Sequence, residues 1–349
     1  MNIHEKHIKR CIELAQNGLG TTYPNPMVGS VIVYEGKIIG EGWHKKSGEP
    51  HAEVNAVRSV KDKSLLKKAT IYVSLEPCSH FGKTPPCCDL IIANEIPNVV
   101  VGTVDPNEKV AGKGILKLIE AGANVTVGVL EEECNKLNKR FFTFHQKKRP
   151  YIILKWAESQ DGFLAPEKVS DQERKPIWIT NQYSRQLVHK WRTEEQAILT
   201  GTQTVVDDNP KLNARDWSGN NPARVIIDRN NRINPDSFVF DDSVKTIVFV
   251  SENIKSSTEN TQFEIIDFSK NIMPQILEVL YQNQIQSIII EGGRQTLQSF
   301  IDENLWDEAR IFKGKLNFNN GTKAPIISGK ISNTTNIKGD ELIQIKNHD

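Results

Sequence analysis

The stretch that decides the fold reads HAEVNAVRSV at 51–60 and SLEPCSHFGKTPPCCDL at 74–90. It combines a histidine, a glutamate two residues later, and two cysteines each preceded by proline, Pro77-Cys78 and Pro86-Cys87. This is the donor set of a catalytic zinc site, which uses three protein ligands and keeps a fourth position open for water. His51, Cys78 and Cys87 are the expected ligands. Glu53 is the expected proton carrier between that water and a departing amine. The short form of the signature has two residues between its cysteines; here eight intervene, 79–86. A loop bulging over a pocket accommodates them, and its His80, Gly82 and Lys83 suit substrate contacts. Cys88 competes with Cys87, because neighbouring helical residues point about 100° apart and only one can face a metal. Cys87 is preferred, since it follows Pro86 as Cys78 follows Pro77. A purely structural zinc site would be closed by a fourth ligand, for which His44 and His80 are the candidates.

Working outward, Ala52, Val54, Ala56 and Val57 keep helical spacing, so His51 and Glu53 open a helix. Residues 70–75 read as a buried strand that delivers Glu76-Pro77-Cys78, and 87–92 as a helix start. Upstream lie a helix at 3–17, a stiff Tyr23-Pro24-Asn25-Pro26 loop and a hairpin of 28–34 with 37–40. Downstream are a strand at 99–104 ending in Asp105-Pro106-Asn107, a helix at 114–121 and a strand at 125–129. This alternation predicts a sheet covered by helices. Residues 131–149 change character, and the boundary falls there, giving domains 1–146 and 150–349.

The second half restarts with a strand at 151–157. Asn181 is the expected N-cap of a helix running to Arg192. Strands follow at 197–200, 224–228, 245–250 and 263–267, then a helix at 273–283. A strand at 287–290 ends in Glu291-Gly292-Gly293 before a helix to about 303, and further strands lie at 310–316 and 341–345. This is α/β again, without similarity to the first half.

At 349 residues the chain suits two domains of roughly 150 residues each. A net charge of +1 supplies no field for nucleic acid or an anionic membrane. No apolar run of ~18 residues is present, and the N-terminus lacks the apolar core of a signal peptide. Five cysteines, three of them at 78–88, do not form a secreted disulfide framework. Cytoplasm is the expected compartment.

Three motifs, Tyr23-Pro24-Asn25-Pro26-Met27-Val28-Gly29, Gly48-Glu49-Pro50-His51-Ala52-Glu53 and the whole run from Leu75 to Cys87, resemble the bifunctional riboflavin-biosynthesis deaminase–reductase family. Asp105-Pro106-Asn107 and Val110-Ala111-Gly112-Lys113-Gly114 also match. In the second half Trp178-Ile179-Thr180, Ala197 to Gly201, Asp207-Asp208-Asn209-Pro210 and Glu291-Gly292-Gly293 continue the match more loosely. The long spacing between the cysteines is that family's own form of the motif. The resemblance implies a cytidine-deaminase-like α/β/α domain followed by a dihydrofolate-reductase-like α/β domain. It implies Zn²⁺ and NADPH as cofactors, a pyrimidine ribose phosphate as substrate, and a homodimer or higher oligomer.

Residue by residue, the resemblance assigns substrate contacts to Asn25, His44, His80, Lys83, Asp105 and Asn107 in the first half. In the second it assigns NADPH contacts to Trp178, Thr204, Asp208, Gly293, Arg294, Gln295, Thr296 and Leu297. Arg192, Leu212, Arg215 and Glu291 would line the second substrate, the two arginines gripping its phosphate. Two glycines at 292–293 also let backbone approach a pyrophosphate at a helix N-terminus. The chain departs from the family pattern at Glu158-Ser159-Gln160-Asp161-Gly162, at Pro176-Ile177, and in a longer, charged segment at 166–175. Two rival readings are a nucleoside, nucleobase or tRNA deaminase with an unrelated second domain, and a zinc-stabilised binding module without catalysis.

Overall fold

The structure is a computed structural model that describes residues 2–81, 85–107, 111–167, 177–254 and 258–348. It divides into two compact units, Met1–Lys148 and Arg149–Asp349.

The first unit runs α1 Ile3–Ala15, β1 Gly29–Tyr34, β2 Lys37–Trp43, α2 Ala52–Ser59, β3 Thr70–Leu75, α3 Cys87–Ala93, β4 Asn98–Thr103, α4 Lys113–Glu120, β5 Asn124–Val127, α5 Glu131–Leu137 and α6 Lys139–Lys147. Helix α1 starts where Asn2 and Glu5 form a reciprocal capping box. The sheet order is β2-β1-β3-β4-β5. β1 is antiparallel to β2 and β3, whereas β3, β4 and β5 are parallel. Strand alternation divides the core into two layers. Ile32, Ile71, Val73, Val99 and Val101 meet Ala56, Val57, Ile91 and Leu118 from α2, α3 and α4. On the other face Val31, Val33, Tyr72 and Val100 meet Ile8, Cys11 and Leu14 of α1 and Cys134 of α5. Burial on both faces explains why β3 and β4 read as continuous apolar runs. β5 stops before the predicted end at 129, because Gly128 (φ 88°) and Leu130 (φ 53°) turn the chain.

The second unit runs β6 Tyr151–Glu158, β7 Phe163–Pro166, α7 Gln182–Glu194, β8 Ala197–Gly201, α8 Thr202–Asp208, β9 Ala223–Ile227, β10 Thr246–Val250, β11 Thr261–Ile265, α9 Ile272–Gln282, β12 Ser287–Ile290, α10 Arg294–Asp302, β13 Glu308–Lys313, β14 Gly321–Lys323, β15 Lys330–Ile337 and β16 Asp340–Lys346. Its large sheet has the order β11-β10-β9-β8-β12-β6-β13-β16-β15. The seven strands from β11 to β13 are parallel, and β16 and β15 close the edge antiparallel. Asn181 caps α7, its side chain accepting from the N–H groups of Tyr183 and Ser184. β13 ends at Lys313, short of the predicted 316. Gly314 there packs so tightly that a Cβ would lie 2.2 Å from the Ile179 carbonyl oxygen.

Candidate active sites

In the first unit, the ends of three elements meet. His51 is the N-cap of α2 and makes no side-chain capping bond, so its ring is not held to the helix backbone. β3 hands over to Glu76-Pro77-Cys78, and Pro86 caps α3 so that Cys87 is its first residue. The Cys87 Sγ lies 3.3 Å and the Cys78 Sγ 3.6 Å from His51 Nδ1. The ligand atoms of all three lie within 4.8 Å of one another. The Cys87 N–H donates to Cys78 Sγ at 3.3 Å. Hydrogen bonds from Cys87 and His51 hold the Cys78 thiol well below its usual range despite burial. Two soft thiols and an imidazole converging on one point fit zinc, with no fourth protein ligand among the described residues.

Cys88 is turned elsewhere. Its Sγ lies 3.2 Å from the Pro77 carbonyl oxygen and 3.5 Å from that of Gly114, and burial pushes its thiol up to about 12. Glu53 occupies the first turn of α2, buried, beside the Cys87 thiol. Burial, reinforced by the charge of Cys78, pushes its carboxyl up to about 7.

His44 is buried next to the cluster, its ring edge-on to His51 at 5.3 Å. Its Nε2 accepts from Asn25 Nδ2 at 3.1 Å, and its Nδ1 donates to the Pro50 carbonyl oxygen at 3.3 Å. Burial keeps this imidazole below its usual value. With both nitrogens engaged, His44 does not close the zinc site. Asp105 accepts from the Asn107 N–H at 2.8 Å, and burial pushes its carboxyl up to about 6. His80 is exposed. Lys83 lies outside the described residues. Glu76, absent from the expectations, is buried and accepts four backbone N–H groups.

In the second unit a cleft of about 770 Å³ opens between α7, the 208–216 loop and the end of β6. Trp178, Arg192, Asp208, Leu212 and Arg215 line it. Lys155, Arg185 and His189 also line it, and none was singled out from sequence. Arg185 stacks on the exposed Trp178 ring, its Cζ 4.3 Å from the centroid. Glu291 sits behind the cleft. Arg192 grips it with two bonds, Nε to Oε1 at 3.0 Å and Nη2 to Oε2 at 2.6 Å, while Arg192 Nη1 donates to the Asn213 carbonyl oxygen at 3.0 Å. Lys155 Nζ lies 3.6 Å from Glu291 Oε2. Burial alone would raise the Glu291 carboxyl, but Arg192 and Lys155 outweigh it and hold the group at about 2.

The two arginines expected on the substrate phosphate are held differently. Arg192 spends its fork on Glu291, whereas Arg215 is exposed and bonds only the neutral Asn213 Oδ1, at 2.9 Å, among the described side chains. His189 Nδ1 lies 3.1 Å from both the Arg215 backbone nitrogen and the Asn213 carbonyl oxygen, and its Nε2 lies 3.4 Å from Asp216 Oδ2.

α10 opens directly behind β12, with Gly292-Gly293 in the turn. The Gly293 N–H donates to Thr204 Oγ1 of α8 at 3.0 Å. A Cβ on Gly292 would lie 3.0 Å from Thr200 Oγ1, and one on Gly201 2.9 Å from Thr296 Oγ1. Arg294 and Gln295 are exposed at this helix start. The Leu297 side chain is buried in the core and its N–H bonds the Gly293 carbonyl oxygen. Glu158, at the departure after β6, accepts from Trp156 Nε1 at 2.8 Å. Pro176 and residues 168–175 lie outside the described residues.

Residues 1–103 match the family model of the cytidine and deoxycytidylate deaminase zinc-binding region, and residues 150–342 that of the RibD C-terminal domain. The riboflavin biosynthesis protein RibD of Aquifex aeolicus (strain VF5) is 40% identical over 314 residues, covering 89% of this chain and 86% of the relative. That of Escherichia coli (strain K12) is 37% identical over 325 residues, covering 88% and 86%. The crystal structure of a diaminohydroxyphosphoribosylaminopyrimidine deaminase/5-amino-6-(5-phosphoribosylamino)uracil reductase from Thermotoga maritima superposes with a TM-score of 0.89 at 37% identity, covering 99% of both chains. With a donor set suited to zinc in one unit, a reductase-type cleft in the other and relatives matched along nearly its whole length, the chain belongs to the RibD family of riboflavin biosynthesis proteins.

Proposed function

We propose that the two sites described above carry the two steps of this bifunctional enzyme, each with the residues assigned here. The chain is a deaminase and a reductase of riboflavin biosynthesis. The first step hydrolyses the amino group from C2 of the diaminopyrimidine ribosylamino phosphate. The second reduces the resulting aminouracil, 5-amino-6-(5-phosphoribosylamino)uracil, to its ribityl form with NADPH.

His51, Cys78 and Cys87 would hold Zn²⁺, which when bound makes water nucleophilic near neutral pH. Glu53 carries the two protons of the attacking water in turn, the first to the ring nitrogen and the second to the departing amine. Asn25, held by His44, offers its amide to the ring edge. Asp105, Asn107, His80 and Lys83 complete the reading as contacts to ring and ribose phosphate. The observation that carries this step is the convergence of His51, Cys78 and Cys87 with Glu53 buried beside them. Glu53→Gln tests it: bound zinc stays at the wild-type amount while deamination falls by about 10²–10⁴. A Gln variant that turns over normally would remove Glu53 from the mechanism.

In the second site Trp178, Asp208, Thr204 and the start of α10 from Gly293 to Thr296 would receive NADPH, which supplies the hydride. A helix start leaves N–H groups without intrahelical partners, which suits a pyrophosphate, and the close Gly201 and Gly292 contacts support the fit. Arg215 would grip the substrate phosphate, Leu212 would pack against the substrate, and Arg192 would fix Glu291 toward the ribose. We further infer a cytoplasmic homo-oligomer, a dimer or higher. The five free cysteines suit a reducing compartment, and no helix of the described residues is long and apolar enough to cross a membrane. Sedimentation at micromolar concentration tests the assembly; a monomer would contradict it.

A further inference from the structure

We propose that Glu76 is a positioning residue for deamination. Its buried carboxylate locks the Asp105–Asn107 loop and the start of α4 onto the end of β3, and so sets the wall of the substrate pocket. It acts two residues from Cys78 without being a metal ligand. The inference rests on the deaminase reading of this site.

Glu76 is 4% exposed, and a carboxylate so buried must be compensated. Its partners are backbone amides. Oε2 accepts from Asp105 N–H at 3.2 Å and Gly112 N–H at 2.9 Å. Oε1 accepts from Gly114 N–H at 2.8 Å and Ile115 N–H at 3.4 Å. Three of these four amides belong to the cap and first turn of α4, where unpaired N–H groups and the helix dipole favour an anion. The residue at the cap itself is Gly112, left-handed at φ 75° and without a side chain to do the capping. Glu76 therefore supplies, from another element, the cap that α4 lacks.

Two further contacts close the same junction. A Cβ on Gly114 would lie 2.1 Å from the Pro77 carbonyl oxygen, so backbone approaches backbone there. The Cys88 thiol of α3 faces the carbonyl oxygens of both Pro77 and Gly114. What the junction carries toward the reaction is Asp105, held by its own N–H to Glu76 Oε2 and placed at the substrate by the deaminase reading.

The two oxygens serve separate pairs of donors. A glutamine at this position has only one acceptor, so whichever way its amide turns, its NH₂ confronts two N–H groups. Glu76→Gln must therefore release either the loop pair or the helix pair. The expected result is a rise of roughly tenfold or more in the KM for the diaminopyrimidine phosphate, with kcat within about threefold of wild type. Zinc content and the NADPH-dependent reduction, measured on the same chain, stay at wild-type levels and report that both units are folded. Glu76→Asp keeps the charge but retracts it by one methylene, and falls between wild type and the Gln variant. Hydrogen exchange at the amides of Asp105, Gly112, Gly114 and Ile115 speeds up in Glu76→Gln. An unchanged KM, a loss confined to kcat, loss of zinc, or unchanged exchange each overturns the proposal. Wild-type enzyme that released no ammonia would instead overturn the deaminase reading, and the exchange measurement would still decide the role of Glu76.

Discussion

His7 shows how a single side chain ties pH to stability. It sits on the core face of α1, 2% exposed, with neither ring nitrogen hydrogen-bonded among the described residues and its ring 4.8 Å from that of Tyr72. Burial, with help from Lys6 and His4, holds its imidazole below the usual value. The folded chain therefore refuses a proton that the unfolded chain accepts near its ordinary pKa of about 6.5. The unfolded state binds more protons, so this contribution is present above that pH and is lost as pH falls through it. His7→Phe should keep the ring packing and remove the penalty. Urea midpoints measured at about pH 7.5 and about pH 5.5 should diverge less in the variant than in wild type; an equal divergence would contradict the assignment. Among site residues, the ligand set was legible because metal chemistry restricts residue type and spacing so narrowly. The choice between Cys87 and Cys88 was legible from the proline before each ligand, and the structure turns Cys88 toward Pro77 and Gly114. Glu76, Lys155 and His189 were not legible, since each acquires its role from groups far away in sequence.

Secondary structure follows the same division. Buried strands such as Thr70–Leu75 and Ser287–Ile290 announce themselves as apolar runs, and the observed bounds equal the predicted ones. β15, Lys330–Ile337, was missed because it is an exposed edge strand with a polar sequence and no alternation. α8 was missed because it is one short helix, Thr202–Asp208, with a single buried residue, Val205. Yet α8 supplies Thr204 to the turn before α10, so a short element matters to the proposed cofactor site more than its sequence signal suggests. Gly292 tests this turn. Its missing Cβ leaves 3.0 Å to Thr200 Oγ1, which is too tight without movement of the neighbour. Gly292→Ala should weaken NADPH binding by roughly tenfold, about 1.4 kcal/mol, as read by calorimetry, with deamination unchanged. Unaltered NADPH affinity would mean that the start of α10 does not receive the cofactor.

At the scale of the whole molecule, the two units have separate sheets, separate cores and separate chemistries. Among the described residues, the departure after β6 is tied into its own unit. Glu158 is tied to Trp156, and Asp161 accepts the N–H groups of Phe318 and Asn319 across the mouth of the β6–β7 turn. The most direct test of two steps on one chain is to incubate the zinc-loaded protein with the diaminopyrimidine ribosylamino phosphate, with and without NADPH, and weigh the products. Without NADPH, one amino group should be exchanged for oxygen and ammonia released. With NADPH, that product should gain two hydrogens as NADPH is oxidised in equal amount. Substrate returned unchanged, or deaminated product that never oxidises NADPH, would contradict the account.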